Sequence, residues 1–256
     1  MQKIKASLYG VVASCLMSMC FYSAVFAAEL RVAAAANLQP LFPQLQAAFQ
    51  KQTGHTLIPS FNSSGKFVAQ IMQGAPFDVF MSADEEFPIY LHEQRWAEKP
   101  QIYAIGTLVL WTMKDLDLTQ WIALLRNEKV QKIAISNPKT APYGRQAMYA
   151  LEYLKIHNEV QSKLVLGESI SQTNQYIFSG IADIGVTAKS VVVSDKMKGQ
   201  GRWIELPANS YQAIKQAVVM LKQGKEKNPK AAQAFMEFLR SSTAQEIFKK
   251  NGYSLP

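Results

Sequence analysis

The sequence predicts an α/β protein of two lobes with a cleft between them, and three observations predict it. Short apolar runs alternate with amphipathic stretches of roughly 10 to 15 residues, the grammar of strand–helix units on a mainly parallel sheet. That grammar is met twice, and two extended segments join the blocks. The composition, 48% hydrophobic and 18% charged, supports a large buried core and excludes a disordered or low-complexity chain. A length of 256 residues admits one or two domains.

The first stretch stands apart from this grammar. Residues 1–27 hold no acidic side chain, and Lys3 and Lys5 precede an uncharged run that exits through Val25-Phe26-Ala27-Ala28. This reads as a signal peptide over 1–27, with Ala28 as the mature N-terminus and the periplasm as destination. A retained anchor is long enough to span a bilayer, but the Ser, Tyr, Gly and Cys content and the Ala-rich exit favour cleavage. Val12-Ala13-Ser14-Cys15 has the look of a lipid-attachment box, yet the apolar run continues past Cys15, where a mature lipoprotein turns polar. Both cysteines, Cys15 and Cys20, fall in the leader. The mature chain then has no disulfide, no Cys-ligated metal and no Cys nucleophile, as suits an oxidising compartment. It keeps 25 basic against 19 acidic residues. These are scattered without a basic run interleaved with aromatics, so a solvated surface is expected and no nucleic-acid partner.

The elements follow in order. Leu30 to Ala36 is a first strand, and Asn37 can cap a helix carrying Leu38, Leu41, Phe42, Leu45 and Phe49 on one face until Gly54. Pro43 would break an interior bond, so that helix should begin irregularly. Thr56-Leu57-Ile58 is a strand, Ser63-Ser64-Gly65 opens a helix ended by Gly74, and Phe77 to Ala83 is a buried strand. Ile105 to Trp111 reads as one long apolar strand. Beyond it, Ile133-Ala134-Ile135 leads to a helix starting near Tyr143-Gly144, and Leu164-Val165-Leu166 to a helix near Ser171 stopped by Gly180. Ala182 to Thr187 and Ala217 to Leu221 are strands, followed by helices over Pro229–Leu239 and Thr243–Lys250.

Four strand-to-helix junctions share small or polar residues: Ala36-Asn37, Asn62-Ser63-Ser64-Gly65, Ala141-Pro142-Tyr143-Gly144 and Glu168-Ser169-Ile170-Ser171. A helix start offers N–H groups without intrahelical partners and about half a positive charge. One junction alone is a cap. Several converging at the carboxyl ends of strands make a neutral cage for a small anion. Asn62 to Lys66 lacks the first Gly and the Gly-Lys-Ser/Thr order of a phosphate-binding loop. His55, His92 and His157 have no partner at metal-ligand or triad spacing. Asp84-Glu85-Glu86 suits a helix start better than a carboxylate site. A secreted hydrolase using Ser64 as nucleophile lacks a nearby base in sequence, so no enzyme is expected.

Three blocks carry a specific resemblance: Gly74-Ala75-Pro76-Phe77-Asp78-Val79-Phe80-Met81-Ser82-Ala83-Asp84; Ile133 to Pro138 with Ala141-Pro142-Tyr143-Gly144; and Gly167 to Thr173 followed by Ser179 to Gly185. In this order, and over nearly the whole mature chain, they resemble the periplasmic molybdate-binding proteins of ABC importers. The resemblance implies the two-lobed periplasmic binding protein (type II) fold, two α/β domains joined by a two-stranded hinge. One lobe would span 28–108 plus 213–256 and the other 109–212. It implies molybdate or tungstate as ligand, no cofactor, no metal cation, a membrane permease as partner, and a monomer. Its ligand positions fall on Asn37, Ser64, Tyr143 and Ile170, with Ala36 adding a backbone N–H. The Asn37 amide NH₂ is expected to point at the ligand. A phenol that some members carry after the Asp183-Ile184-Gly185 strand is Ala188 here. A Pro before the return strand is replaced by Tyr211-Gln212-Ala213-Ile214. Lys66 and Arg145 are expected to project into solvent. Another tetrahedral oxyanion such as sulfate is the alternative ligand.

Overall fold

The computed structural model describes residues 27–256, so the expected leader with its two cysteines lies almost wholly outside the described residues. The first lobe opens with β1 (Glu29–Ala35), α1 (Phe42–Thr53), β2 (Thr56–Asn62), α2 (Ser64–Met72), β3 (Val79–Met81), α3 (Glu86–Glu93) and β4 (Gln101–Gly106). The second comprises β5 (Leu108–Thr112), α4 (Trp121–Arg126), β6 (Ile133–Ser136), α5 (Pro142–Tyr153), α6 (His157–Val160), β7 (Leu164–Gly167), α7 (Ile170–Phe178), β8 (Ile184–Ala188), α8 (Lys189–Val192) and β9 (Arg202–Glu205). The chain then returns to the first lobe with β10 (Ile214–Met220), α9 (Lys222–Lys227), α10 (Pro229–Phe238) and α11 (Ser242–Lys250).

Each lobe is built on a five-stranded sheet among the described residues, ordered β2-β1-β3-β10-β4 and β7-β6-β8-β5-β9. β1 runs parallel to β2 and β3, and β6 parallel to β7 and β8. β10 runs antiparallel to both β3 and β4, and β5 antiparallel to both β8 and β9. The sheets are therefore mixed rather than mainly parallel. The reversal falls on β10 and β5, the first strand the chain lays down each time it enters a lobe from the other one.

The expected strand Ile105 to Trp111 is divided at Thr107: Ile105 pairs with Lys215 in the first sheet and Leu108 with Ala188 in the second. The second crossing runs from Leu206, whose N–H donates to the Leu108 carbonyl at 3.1 Å. It passes Tyr211, whose hydroxyl accepts from the Leu108 N–H at 3.2 Å. Tyr211 thus ties the two crossings together.

Alternation places Leu30, Val32 and Ala34 of β1 against Phe42, Leu45, Phe49, Phe235 and Phe248, while Ala33 faces Phe67, Ile71 and Phe80 on the other side of the sheet. Trp111, Ile133, Ile135, Ala147, Leu151 and Ile177 fill the second lobe. The start of α1 is delayed, as its prolines require. A 3₁₀ turn over Ala36–Leu38 intervenes, and Pro43 becomes the second residue of α1, where its missing N–H would have had no partner. Asn37 consequently sits inside that turn instead of capping a helix. Gly54, at φ 75°, ends α1 with its N–H on the Gln50 carbonyl at 2.8 Å.

Candidate functional site

Four chain segments meet between the lobes around one small cavity of about 10 Å³. Ala36 and Asn37 come from the 3₁₀ turn after β1, Ser63 and Ser64 from the head of α2, Tyr143 from the head of α5, and Ile170 is the first residue of α7. The structure thus brings Ala36, Asn37, Ser64, Tyr143 and Ile170 together. Each lies in a first turn, where no carbonyl of its own helix can accept its N–H. α2 comes from one lobe and α5 and α7 from the other, so the positive ends of three helices converge on the cavity.

Side chains add to this frame. Ser64 is fully buried, and its Oγ accepts the Ala83 N–H at 3.0 Å. That bond occupies a lone pair and leaves the hydroxyl hydrogen free to donate. Ser169 caps α7 by accepting the Gln172 N–H, which leaves the Ile170 N–H uncapped. None of the residues that line the cavity bears a formal charge. Its one titratable member, Tyr143, is kept neutral, because burial pushes its phenol well above the usual value of 10.0.

Beneath the cavity lies a buried polar network. Gln216 Nε2 donates to the Tyr143 hydroxyl at 3.0 Å across the lobes, and Gln216 Oε1 accepts from Asn37 Nδ2 at 2.9 Å and Tyr103 at 3.0 Å. Asn37 Nδ2 also donates to the Tyr253 hydroxyl at 2.9 Å, and the Asn37 carbonyl accepts from Tyr253 at 3.1 Å and from Ser190 at 3.0 Å. Both amide hydrogens of Asn37 are thus committed to protein partners. This corrects the expectation that its NH₂ points at a ligand, because the side chain anchors the 3₁₀ turn to Gln216 and Tyr253 instead. Burial drives the Tyr253 phenol up to about 12, so this network also stays uncharged at neutral pH.

Charges stand at the rim and are paired there. Lys66 meets Glu168 of the other lobe at 2.8 Å, and hydrogen bonding to Lys66 holds the Glu168 carboxyl below its usual value. Arg145 bonds Glu86, lies 3.5 Å from Asp84 and stacks over Phe87 with 5.5 Å to the ring centroid, all on the opposite lobe. Neither side chain projects freely into solvent, and the correction is larger for Arg145, whose side chain is 20% exposed. Asp84 is the perturbed acid of the group: burial raises it to about 6, against the Ser82 hydroxyl, the Phe87 N–H and Arg145, which all favour its charged form. Two further bonds cross the cleft, from the Gly65 N–H to the Thr140 carbonyl at 2.9 Å and from Ser171 Oγ to Gln39 Oε1 at 2.9 Å.

The remaining candidates have structural work. The Asp78 carboxylate accepts the Arg31 N–H at 2.7 Å and Asn228 Nδ2 at 3.0 Å, which ties β1 to the α9–α10 turn. His55 Nδ1 accepts the Ala28 N–H at 3.1 Å. Ala188 ends β8 as the cap of α8. Sequence reasoning missed Gln216, Ala83 and the Ser63 hydroxyl. Ser63 stood inside a junction already singled out, whereas nothing in the spacing marks Gln216 as a partner of Asn37.

Residues 30–254 match the family model described as bacterial extracellular solute-binding protein. The chain is 40% identical over 232 residues to the molybdate-binding protein ModA of Azotobacter vinelandii, covering 90% of this chain and 91% of that protein. It is 38% identical to ModA of Rhodobacter capsulatus over 89% of this chain and 88% of the relative. The solved structure of the Azotobacter vinelandii periplasmic molybdate-binding protein superposes with a TM-score of 0.84 at 36% identity, covering 89% of this chain and 99% of that one. With two mixed α/β lobes around a cavity of helix N-termini, and a family match that runs almost from β1 to the C-terminus, this chain belongs to the bacterial extracellular solute-binding proteins.

Proposed function

We propose that this protein is the periplasmic molybdate-binding component of an ABC importer, and that it takes tungstate in the same site. The observation that carries the reading is a cavity between two lobes lined wholly by neutral groups, with Ser64, Tyr143 and Ile170 each at the first turn of a helix. The backbone N–H groups of Ala36, Asn37, Ser64, Tyr143 and Ile170, with the Ser64 hydroxyl, are the proposed donors. A dianion held by about six such charge-assisted bonds is gripped tightly without a counter-charge. Ala36, Asn37 and Ser64 come from the lobe assigned to 28–108 plus 213–256, and Tyr143 and Ile170 from 109–212. Only closure about the two crossings completes the cage. The ligand leaves chemically unchanged to a membrane permease, so the protein is a carrier and not an enzyme, and it acts as a monomer in the periplasm. Ser64 is bonded to the Ala83 N–H rather than to a base, which suits a donor and not a nucleophile.

Selectivity follows from size. A smaller anion leaves preorganised donors short of a partner, at about 1–3 kcal/mol for each one buried. Calorimetry of the mature protein with molybdate, tungstate and sulfate tests the reading. Tight, one-to-one binding of the first two and weak binding of sulfate is expected. Preference for sulfate, or no binding of any tetrahedral oxyanion, overturns it.

A further inference from the structure

We infer that Ser63, beside the proposed donor Ser64, supplies a further hydroxyl donor to the bound oxyanion. The inference rests on the anion-binding reading above and deepens it. Ser63 is the residue preceding the first turn of α2, at φ −68° and ψ 148°, where a serine side chain ordinarily accepts the N–H of the second or third helical residue. Here it makes no such bond. The residue is 4% exposed, and its Oγ is buried with no hydrogen-bond partner among the described residues. It also lines the same cavity as Ser64 and Tyr143.

A buried hydroxyl without a partner forfeits the free energy of its lost hydration, so a partner absent from the protein itself is called for. Of the N–H groups that such a cap would accept, that of Gly65 crosses instead to the Thr140 carbonyl at 2.9 Å, while the Phe67 N–H makes the first intrahelical bond to the Ser63 carbonyl at 3.2 Å. The peptide of Ser63 is held from the other side, because its N–H donates to Asn62 Oδ1 at 2.9 Å. The residue is therefore fixed through its backbone on both flanks while its hydroxyl stays free to turn. In a cavity whose other groups are N–H donors and one hydroxyl, an anion oxygen is the complementary partner. Ser63 would donate to an oxygen near the mouth of α2, so that one junction contributes two hydroxyls to a single ligand.

Two substitutions, Ser63→Ala and Ser63→Asp, measured by molybdate titration calorimetry beside wild type, test the assignment. Thermal unfolding of the ligand-free proteins accompanies each. Ser63→Ala should bind molybdate roughly tenfold to a hundredfold more weakly, the worth of one hydrogen bond to a charged group, at an unchanged ligand-free midpoint. Aspartate caps helices as well as serine does, so a Ser63 that merely caps α2 would tolerate Ser63→Asp. A Ser63 that faces the anion would lose binding altogether. Wild-type binding with both variants within twofold of it overturns the role of Ser63 alone. Failure of wild type to bind molybdate overturns the anion-binding reading and this inference with it.

Discussion

At the scale of single residues the site divides into groups proposed to touch the ligand and groups that hold those groups still. Ser64 does both, since its oxygen holds the Ala83 N–H while its hydrogen is offered to the cavity. Ser64→Ala should therefore weaken molybdate binding by about 1.5–3 kcal/mol, and also lower ligand-free stability by about 1 kcal/mol or more, because a buried N–H loses its acceptor. Titration calorimetry and denaturant unfolding read the two effects separately, and unaltered affinity would remove Ser64 from the contact shell. Asp84 offers a pH test. Burial raises it from 3.8 to about 6, so between those values the folded state binds the proton that the unfolded chain has released. Its contribution to stability therefore falls as pH rises through that window, by about 3 kcal/mol at most. Asp84→Asn removes the titration, so the stability of the variant relative to wild type should climb from pH 4 to pH 6.5 in parallel unfolding curves. A difference that stays flat would mean the carboxyl titrates normally. The four junctions that carry the proposed donors were legible in the sequence because small or polar residues mark a helix start, and the individual positions came from the family resemblance. The side-chain partners were not, since Asn37 meets Gln216 and Tyr253 across 179 and 216 positions and no local pattern encodes a contact that long.

Among the elements, the head of α2 both lines the cavity and touches the other lobe. Its Gly65 approaches the other lobe so closely that an added Cβ would stand 3.1 Å from the Thr140 Cα and carbonyl oxygen and 2.9 Å from Phe87. Phe87 can turn aside, but the Thr140 backbone cannot. Alanine is meanwhile the better helix former by roughly 0.5–1 kcal/mol. Gly65→Ala is thus expected to leave the ligand-free protein as stable as wild type or slightly more so, and to weaken molybdate binding about tenfold by wedging the cleft. Loss of stability without loss of affinity would place the strain inside the lobe instead. The elements themselves followed the hydropathy pattern closely: α2, α5, α7, α10 and α11 begin within a residue or two of the expected places. The long run Ile105 to Trp111 misled because both of its halves are equally apolar. Hydropathy reports burial, and it is blind to which of two cores does the burying. The short β9, α6 and α8 carry too little periodicity to stand out.

Taken whole, the molecule separates attraction from recognition. The described chain carries its positive surplus on the outside, its rim charges are paired across the cleft, and its cavity is neutral. The association rate for molybdate should fall as salt screens that outer charge, while the dissociation rate stays nearly constant. Stopped-flow fluorescence over a range of ionic strength checks this, and a dissociation rate that rises steeply with salt would mean that a basic side chain reaches the anion. The topology has a further consequence in time. β10 is the inner neighbour of both β3 and β4, and Tyr253 braces Asn37 from 216 positions further along the chain. A chain that emerges from its N-terminus can finish the contiguous lobe first, and the turn bearing Ala36 and Asn37, held by Ser190 and Gln216, gains its remaining brace when Tyr253 arrives. Binding competence then depends on the segment after Lys250: a copy ending at Lys250 should fold its second lobe, seen in the buried Trp111 fluorescence, yet bind molybdate poorly. Full affinity in such a copy would show that the tail is dispensable. If it is not, a copy clipped before Tyr253 is silent and does not compete with intact protein for scarce ligand.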